Sequence, residues 1–336
     1  MITDTVPPHT HHASPTHEPP AAIRAIGIVV ALTVVLTIVS IAFALPAART
    51  APHDVPIGAA GPQAASGQVA AIHEKRAPGA FSITYYPGEA ALRDAIRNRD
   101  VYGGIALGPD GRSLLVATGG SPMIAQLLTQ IGNGIAQQTG APLRIEDLAP
   151  PTEDDPRGVG LAASALPITL AGLLPAIALM LVLKREVWTR FTTAVIFAGV
   201  AGVTIAALLR YVFGAIEANF WGVTAGLTLG VLATGLAVLG LGSLFGRVGL
   251  GLGAVLAVLL GNPLSGLNSA PEMLPSGWGQ LGQWLPQGAN ATLLRSTAFF
   301  EGAGGTLPIV VLTCWSLLGA ALVVVAALRR RGPSAA

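Results

Sequence analysis

Residues Asn262–Gly288 read NPLSGLNSAPEMLPSGWGQLGQWLPQG, a run with four prolines, five glycines, two tryptophans and one charge, Glu272. A solvated loop carries more charge than this. A membrane-crossing helix is not interrupted four times by proline, which lacks the backbone N–H and clashes with the preceding turn. Irregular backbone at membrane depth persists only where protein covers it or it faces water, because bare N–H and C=O groups are costly in hydrocarbon. Short helices broken at Pro271, Pro275 and Pro286, tucked against the end of a helical bundle, meet both conditions. Trp278 and Trp284 then suit the headgroup level, each an apolar ring with one N–H to place. Ala289–Phe300 follows as a surface helix carrying Leu293, Leu294 and Phe299, and Gly302–Gly305 turn it into the next apolar run.

Such a stretch needs a bundle beside it, and the rest of the chain supplies one. Of 336 residues, 52% are hydrophobic and only 11% charged, where soluble domains carry roughly 25% charged residues. The mean hydropathy is +0.63. Six apolar runs, Ala25–Leu45, Val159–Leu183, Phe191–Leu209, Trp221–Phe245, Val248–Leu264 and Leu307–Leu328, are each long enough to cross about 30 Å of hydrocarbon at about 1.5 Å per helical residue. The first is too long, and its leader too poor in basic residues, for a cleaved signal peptide, and it reads as a signal anchor. The fold class is therefore an α-helical polytopic membrane protein with six transmembrane helices.

Orientation follows from Lys and Arg in the short loops. With the N-terminus cytoplasmic, Arg24, Lys184, Arg185, Arg190, Arg247, Arg329, Arg330 and Arg331 lie inside, and the short outer loops carry only Arg210 and Arg295. Both termini are then cytoplasmic. Residues 1–24 form a Pro- and His-rich solvated tail. Its cluster His9, His11, His12 and His17 reads as part of that tail rather than as a metal site, because no second ligand group stands nearby. Residues 25–45 are the first span, 46–158 an extracytoplasmic domain, 159–328 a five-helix membrane domain containing the broken segment 265–306, and 329–336 a short cytoplasmic tail.

Within the extracytoplasmic domain, residues 46–80 are rich in Pro, Ala and Gly and read as a linker. Phe81–Tyr86 alternates as a strand does. Glu89–Arg99 is helical, with Glu89 four residues before Arg93. Tyr102–Leu107 and Ser113–Ala117 are strands joined at Asp110-Gly111, a strong hairpin signal. Ser121-Pro122 supplies an N-cap and a first-turn proline for a helix that ends at Gly140. Leu143–Leu148 is a last strand. The order is β-α-β-β-α-β, the ferredoxin-like arrangement.

The absences bear on chemistry. No Asp, Glu, His or Lys falls in any of the six runs, whereas an ion-coupled carrier usually buries such a group at mid-membrane. Neither Lys75 nor Lys184 follows glycine, so no phosphate-binding P-loop is present. No nucleophile elbow, zinc-ligand pair or other catalytic constellation stands out, and neither a cofactor nor a metal is implied. The acidic run Glu153, Asp154, Asp155 reads as juxtamembrane charge, and the single cysteine, Cys314, as a small apolar core residue. The small net charge of +2 gives no nucleic-acid surface. Gly222, Gly226 and Gly230 form a small face, repeated by Gly242/Gly246 and Gly249/Gly253, that serves close helix packing or a dimer seam. Pro167 and Pro175 should kink the second span. Arg210 and Glu217, seven residues apart, either snorkel at a span end or pair at an outer mouth.

Three segments carry a family resemblance: DVYGGIALGPDGRSLLVATGGSPMIAQLL (Asp100–Leu128), DDPRGVGLAASALPITLAGLLPA (Asp154–Ala176) and LPSGWGQLGQWLPQGANATLLRSTAFFEGAG (Leu274–Gly304). In their order and topological places they resemble ABC-2-type permeases, in the branch similar to phage-infection-protein-like proteins. The Pro/His tail stands where that group often has an amphipathic helix. The resemblance implies the membrane subunit of an exporter of a lipid or hydrophobic compound in the bacterial inner membrane. It also implies a homodimer driven by a separate ATPase chain and in contact with membrane lipids. By the same resemblance the loop Lys184, Arg185, Glu186, Val187, Trp188, Thr189 and Arg190 receives the ATPase stroke, where the residues alone read as a positive-inside anchor. Pro263, Pro271, Pro275, Trp278, Trp284, Pro286 and Arg295 then form an outer gate, where the residues alone read as interfacial anchoring. Some proteins similar to this branch are instead non-transporting scaffolds of a secretion or envelope complex.

Overall fold

The computed structural model describes residues 20–61, 78–108, 111–140 and 142–331. The histidine cluster of the tail and Asp110 lie outside the described residues. The described residues divide between Ile41 and Ala42 into two separate compact units. Ala21–Ala48 is a single helix (α1) of 28 residues, long and apolar enough to cross a bilayer.

Residues expected to be a linker begin the α/β region with a strand, Val55–Ala60 (β1). Phe81–Tyr86 (β2), helix Glu89–Arg97 (α2), Gly103–Gly108 (β3), Gly111–Val116 (β4), helix Pro122–Thr139 (α3) and Leu143–Asp147 (β5) follow. The sheet runs β2-β1-β3-β4-β5, with β1 parallel to both neighbours, β3 antiparallel to β4, and β4 parallel to β5. The ferredoxin-like arrangement is therefore replaced by a five-stranded mixed sheet with β1 inserted between β2 and β3. The reason is physical. A strand covered on both faces needs no polar/apolar alternation, and VPIGAA is small and apolar throughout, with five of its six residues buried. Composition of that kind also marks linkers.

Helix starts and stops follow the sequence. The Ser121 hydroxyl accepts from the Ile124 amide, Pro122 sits in the first turn, and Gly140 ends α3 at φ 64. Arg93 donates to Glu89 at 2.7 Å and to both Glu146 oxygens at 2.6 Å, tying α2 to β5. These charge-assisted bonds lower the Glu146 pKa, chiefly through the Arg93 hydrogen bonds. The helices cover opposite faces. Leu92, Ala95 and Ile96 of α2 meet Ala60, Ala106 and Leu115, while Ile124, Ala125 and Leu128 of α3 meet Val55, Ile57, Leu114 and Val116. Each core borrows from far along the chain: Phe300 joins the first, and Ala270 and Met273 the second.

The helical bundle begins at Gly160–Val182 (α4), whose first turn steps at Ser164 into Ala165–Val182. Pro167 has no N–H for the Ala163 carbonyl, which accounts for the step. Val187–Val212 (α5) closes with a wide π turn at Leu208–Val212. Two expected spans form one element, Phe220–Gly261 (α6). Gly246 interrupts it at φ 64, ψ −136, outside the helical region. An added Cβ at Gly249 would lie 2.0 Å from the Leu241 carbonyl oxygen, and one at Gly253 3.1 Å from the Val238 Cα. Partners that recede on both sides of Gly246 mean that α6 folds back on itself as two antiparallel arms. Trp278–Gln283 (α7), Pro286–Phe299 (α8) and Thr306–Arg331 (α9) complete the chain.

Among the described residues five helical elements are thus long and apolar enough to cross a membrane, the pattern of a multi-pass membrane protein. The bundle is built around α6, which packs against α4, α5, α8 and α9. Small residues set the approach. A Cβ at Gly172 would lie 2.6 Å from Thr234, one at Gly202 2.1 Å from Thr228, and one at Gly319 of α9 2.3 Å from the Leu236 backbone carbon. The Gly222/Gly226/Gly230 face packs within the chain: Gly226 faces Leu293, and Gly230 faces Asn290. Cys314, expected in the core, lies on the exposed face of α9.

Because the atom facing Gly319 is backbone, α6 and α9 must separate to admit a methyl group. Gly319→Ala should lower stability by about 1–3 kcal/mol despite the better helix former. Gly199→Ala, with nothing within 4 Å, should be neutral or stabilising. Unfolding midpoints of the two variants in detergent, against the parent, check this.

Candidate functional site

The broken stretch forms three short pieces where the prolines predict them. Pro271–Met273 is one 3₁₀ turn, α7 starts at Trp278 after Pro275, and Pro286 occupies the first turn of α8. Pro263 lies in the turn leaving α6. Trp278 and Trp284 are exposed, and the Trp284 carbonyl accepts from the Trp315 indole of α9 at 2.8 Å. The expectation of a surface helix at Ala289–Phe300 is overturned: α8 is buried along nearly its whole length. Its sequence PQGANATLLRSTAF carries small residues on several sides, so α6 approaches one face while Val311 and Leu312 of α9 meet Ala289 and Leu293 on another.

That burial puts Arg295, 6% exposed, under the broken segment. Its Nη1 donates to the Gly266 carbonyl at 2.8 Å, and its Nη2 donates to Leu267 at 2.6 Å and Ser269 at 3.0 Å. Desolvation lowers its pKa to about 10, opposed by Tyr102 and Glu272. The guanidinium therefore stays charged at neutral pH, with carbonyl dipoles in place of a carboxylate. The segment it holds is also fixed to the α/β region. The Ala51 and His53 amides donate to the Met273 and Glu272 carbonyls at 3.1 and 2.9 Å. The Tyr102 hydroxyl donates to Glu272 Oε2 at 2.8 Å, and burial followed by the Glu272 charge raises the Tyr102 pKa.

Between the sheet and residues 271–304 lies a cavity of about 500 Å³, lined among others by Arg99, Tyr102, Glu272, Gln283, Thr292 and Phe300. Arg99 follows α2 at φ 65, in the left-handed region that side chains rarely adopt. This conformation costs about 1–3 kcal/mol and is the kind of strain that gathers at functional sites. Its Nη1 donates to the Thr292 carbonyl at 3.0 Å and its guanidinium lies 5.2 Å from the centre of the Phe300 ring. Burial lowers the Arg99 pKa, against the pull of Tyr102 and Glu272. The Thr292 hydroxyl donates to Gln283 Oε1 at 2.6 Å, closing the wall between α7 and α8.

Other expected site residues fall elsewhere. Lys184, Arg185 and Glu186 form an exposed turn between α4 and α5, Trp188 is exposed at the start of α5 and edge-on to Phe191, and Arg190 is only 1% exposed, directed at the Met180 thioether. The Arg210–Glu217 pair does not form on a shared helical face. The helix ends with the π turn at Val212, and Arg210 lies over Tyr211 at 5.7 Å. Asp155 caps the first turn of α4 by accepting from the Val159 and Gly160 amides at 3.1 and 2.7 Å. Among the described residues no group of three or more His, Cys, Asp or Glu side chains is placed to hold a metal ion.

Sequence reasoning reached Arg295 and the prolines but not Arg99 or Tyr102. The one signal available was Glu272, a lone charge in an apolar run. Comparison of the chain with protein-family models, curated proteins and solved structures finds no match in any of the three.

Replacing Arg295 leaves three carbonyls of an irregular segment without donors. Arg295→Met should destabilise the protein by about 2–4 kcal/mol. It should also raise protease cleavage within residues 262–275, read by limited proteolysis followed by mass spectrometry.

Proposed function

We propose that this chain is the membrane subunit of an ATP-driven exporter of the ABC-2 type. In this reading two copies pair in the bacterial inner membrane, a separate ATPase supplies the energy, and the substrate is a lipid or hydrophobic compound. The observation that carries it is the seat: the α/β region is bonded to the broken-helix segment at one end of the bundle, so the two move together as a cap.

Three further features support the reading. Counted as two crossings, the arms of α6 bring the total to six, an even number that in this reading sets both termini and the Lys184–Arg190 loop on the cytoplasmic side. The loop leads directly into α5 and, through the inward-facing Arg190, touches α4, so a push on it reaches the bundle without a flexible joint. Between α4 and α5 runs an apolar groove of about 730 Å³, lined by residues such as Leu170, Leu174, Phe197 and Val200, the chemistry an acyl chain needs. The prolines Pro167 and Pro175 lie in its α4 wall.

Co-reconstitution in liposomes with the ATPase encoded nearest the gene should raise ATP hydrolysis and move labelled lipid between leaflets. Trp188→Ala should weaken ATPase association by about tenfold or more, as loss of an interface aromatic does. Absence of binding to any cellular ATPase, with unchanged export in a deletion strain, defeats the proposal. A stable protein partner crosslinked to the α/β region would then identify a scaffold instead.

A further inference from the structure

Two opposite charges line the same 500 Å³ cavity and do not pair. Arg99 spends one guanidinium nitrogen on the Thr292 carbonyl and rests its plane near Phe300, while Glu272 takes the Tyr102 hydroxyl on Oε2. Among the described residues no other side-chain hydrogen bond or ion pair engages either group, and no ion pair joins them. Each is anchored by a different element, Arg99 by α8 and Glu272 by the residue leading into β3, which holds the two apart. An ion pair kept for stability closes to contact, and these two half-buried side chains do not. Opposite charges that line one cavity of ligand size without an ion pair between them, with donors on one and an acceptor on the other left over, can both be completed by a guest.

We infer that this cavity binds a small zwitterion, whose anionic group meets the Arg99 guanidinium and whose ammonium meets the Glu272 carboxylate. His53, Asp54 and Gln280 line the same cavity and add polar residues to its wall. An amino acid or short peptide has this chemistry, and so does an ethanolamine phospholipid headgroup. The site needs nothing of the export reading, because binding to the purified chain requires neither ATPase nor transport.

The test uses full-length protein in detergent and calorimetric titration with the free proteinogenic amino acids, dialanine, trialanine and glycerophosphoethanolamine. At least one of these should bind. Acetylating its amine or amidating its acid (for glycerophosphoethanolamine, acetylating the amine) should weaken binding by about tenfold or more, as should Arg99→Gln and Glu272→Gln in the protein. Glu272→Gln retains an acceptor for Tyr102, so its thermal unfolding midpoint should match the parent and separate lost binding from lost fold. Binding by amino acids or peptides assigns a soluble guest, and binding confined to the phosphoethanolamine assigns a lipid headgroup. If no probe binds, or blocked and free forms bind alike, or both variants bind like the parent, the inference fails.

Discussion

The arrangement at the sheet-bearing end depends on one buried cation. Arg295 enters the protein interior without a carboxylate beside it and spends its fork on three carbonyls of residues 266–269. Carbonyls of irregular backbone have no ladder of their own, so a side-chain donor must serve them. A guanidinium suits the task because its five N–H groups point in fixed directions and its charge is weakly hydrated. Holding 266–269 in place also sets the position of residues 270–273. Ala270 and Met273 enter one face of the sheet, and Glu272 reaches Tyr102. At the end of the helix that carries Arg295, Phe300 closes the other face. The α/β region therefore has no hydrophobic core wholly its own, which is why residues 42–336 form one compact unit.

A second constraint acts inside the bundle. In a membrane, helices do not gain from hiding apolar side chains from water, and close backbone approach becomes the main attraction. The glycines of α6 and α9 allow this approach, and the fold-back at Gly246 lets one element present two arms to four neighbours. The arms also expose a limit on α8. Lying between them and α9, α8 brings Gln287 and Asn290 into the interior, where Gln287 reaches Thr234 at 3.5 Å while its Oε1 and the Asn290 Oδ1 take no protein partner. Nearby is a cavity of about 10 Å³ lined by both amides, close to the least volume that holds one water.

What the sequence made legible came from local rules. Proline positions located the short pieces of the broken segment, because the missing N–H acts on its own turn whatever surrounds it. Ser121-Pro122 and Gly140 bounded α3 for the same reason, and Glu89–Arg93 formed at its helical spacing. The larger failures were long-range. Strand β1 has the composition of a linker, and only its place in the middle of the sheet explains it. The Ala289–Phe300 helix has too little amphipathicity to declare a buried position. Arg99 and Tyr102 gave no sign, since their partners lie 193 and 170 residues away. Arg210 and Glu217 shared a face only if the helix continued, and the π turn ended it.

The seat also restricts which motions are open to the molecule. The wall of the cavity is made by Pro56 of β1, Ile96 of α2, residues 99–102, the 271–283 pieces and α8 together. A shift of α8 along α6 drags Thr292, Arg295 and Phe300 at once, because the first two stand on one helix of 14 residues and Phe300 caps its end. Arg295 then carries 266–269 with it, Phe300 pulls on the sheet, and Thr292 moves the anchor of Arg99. The α/β region cannot swing away from the broken segment unless these bonds break as a group, at a combined cost well above thermal energy. Sliding of α8 against the glycine face of α6 spares these bonds but breaks those from Asn219 to the Thr297 carbonyl and from Gln287 to Thr234. Cap, cavity wall and α8 are therefore tied as one body, and the bonds that place Arg99 and Glu272 belong to it.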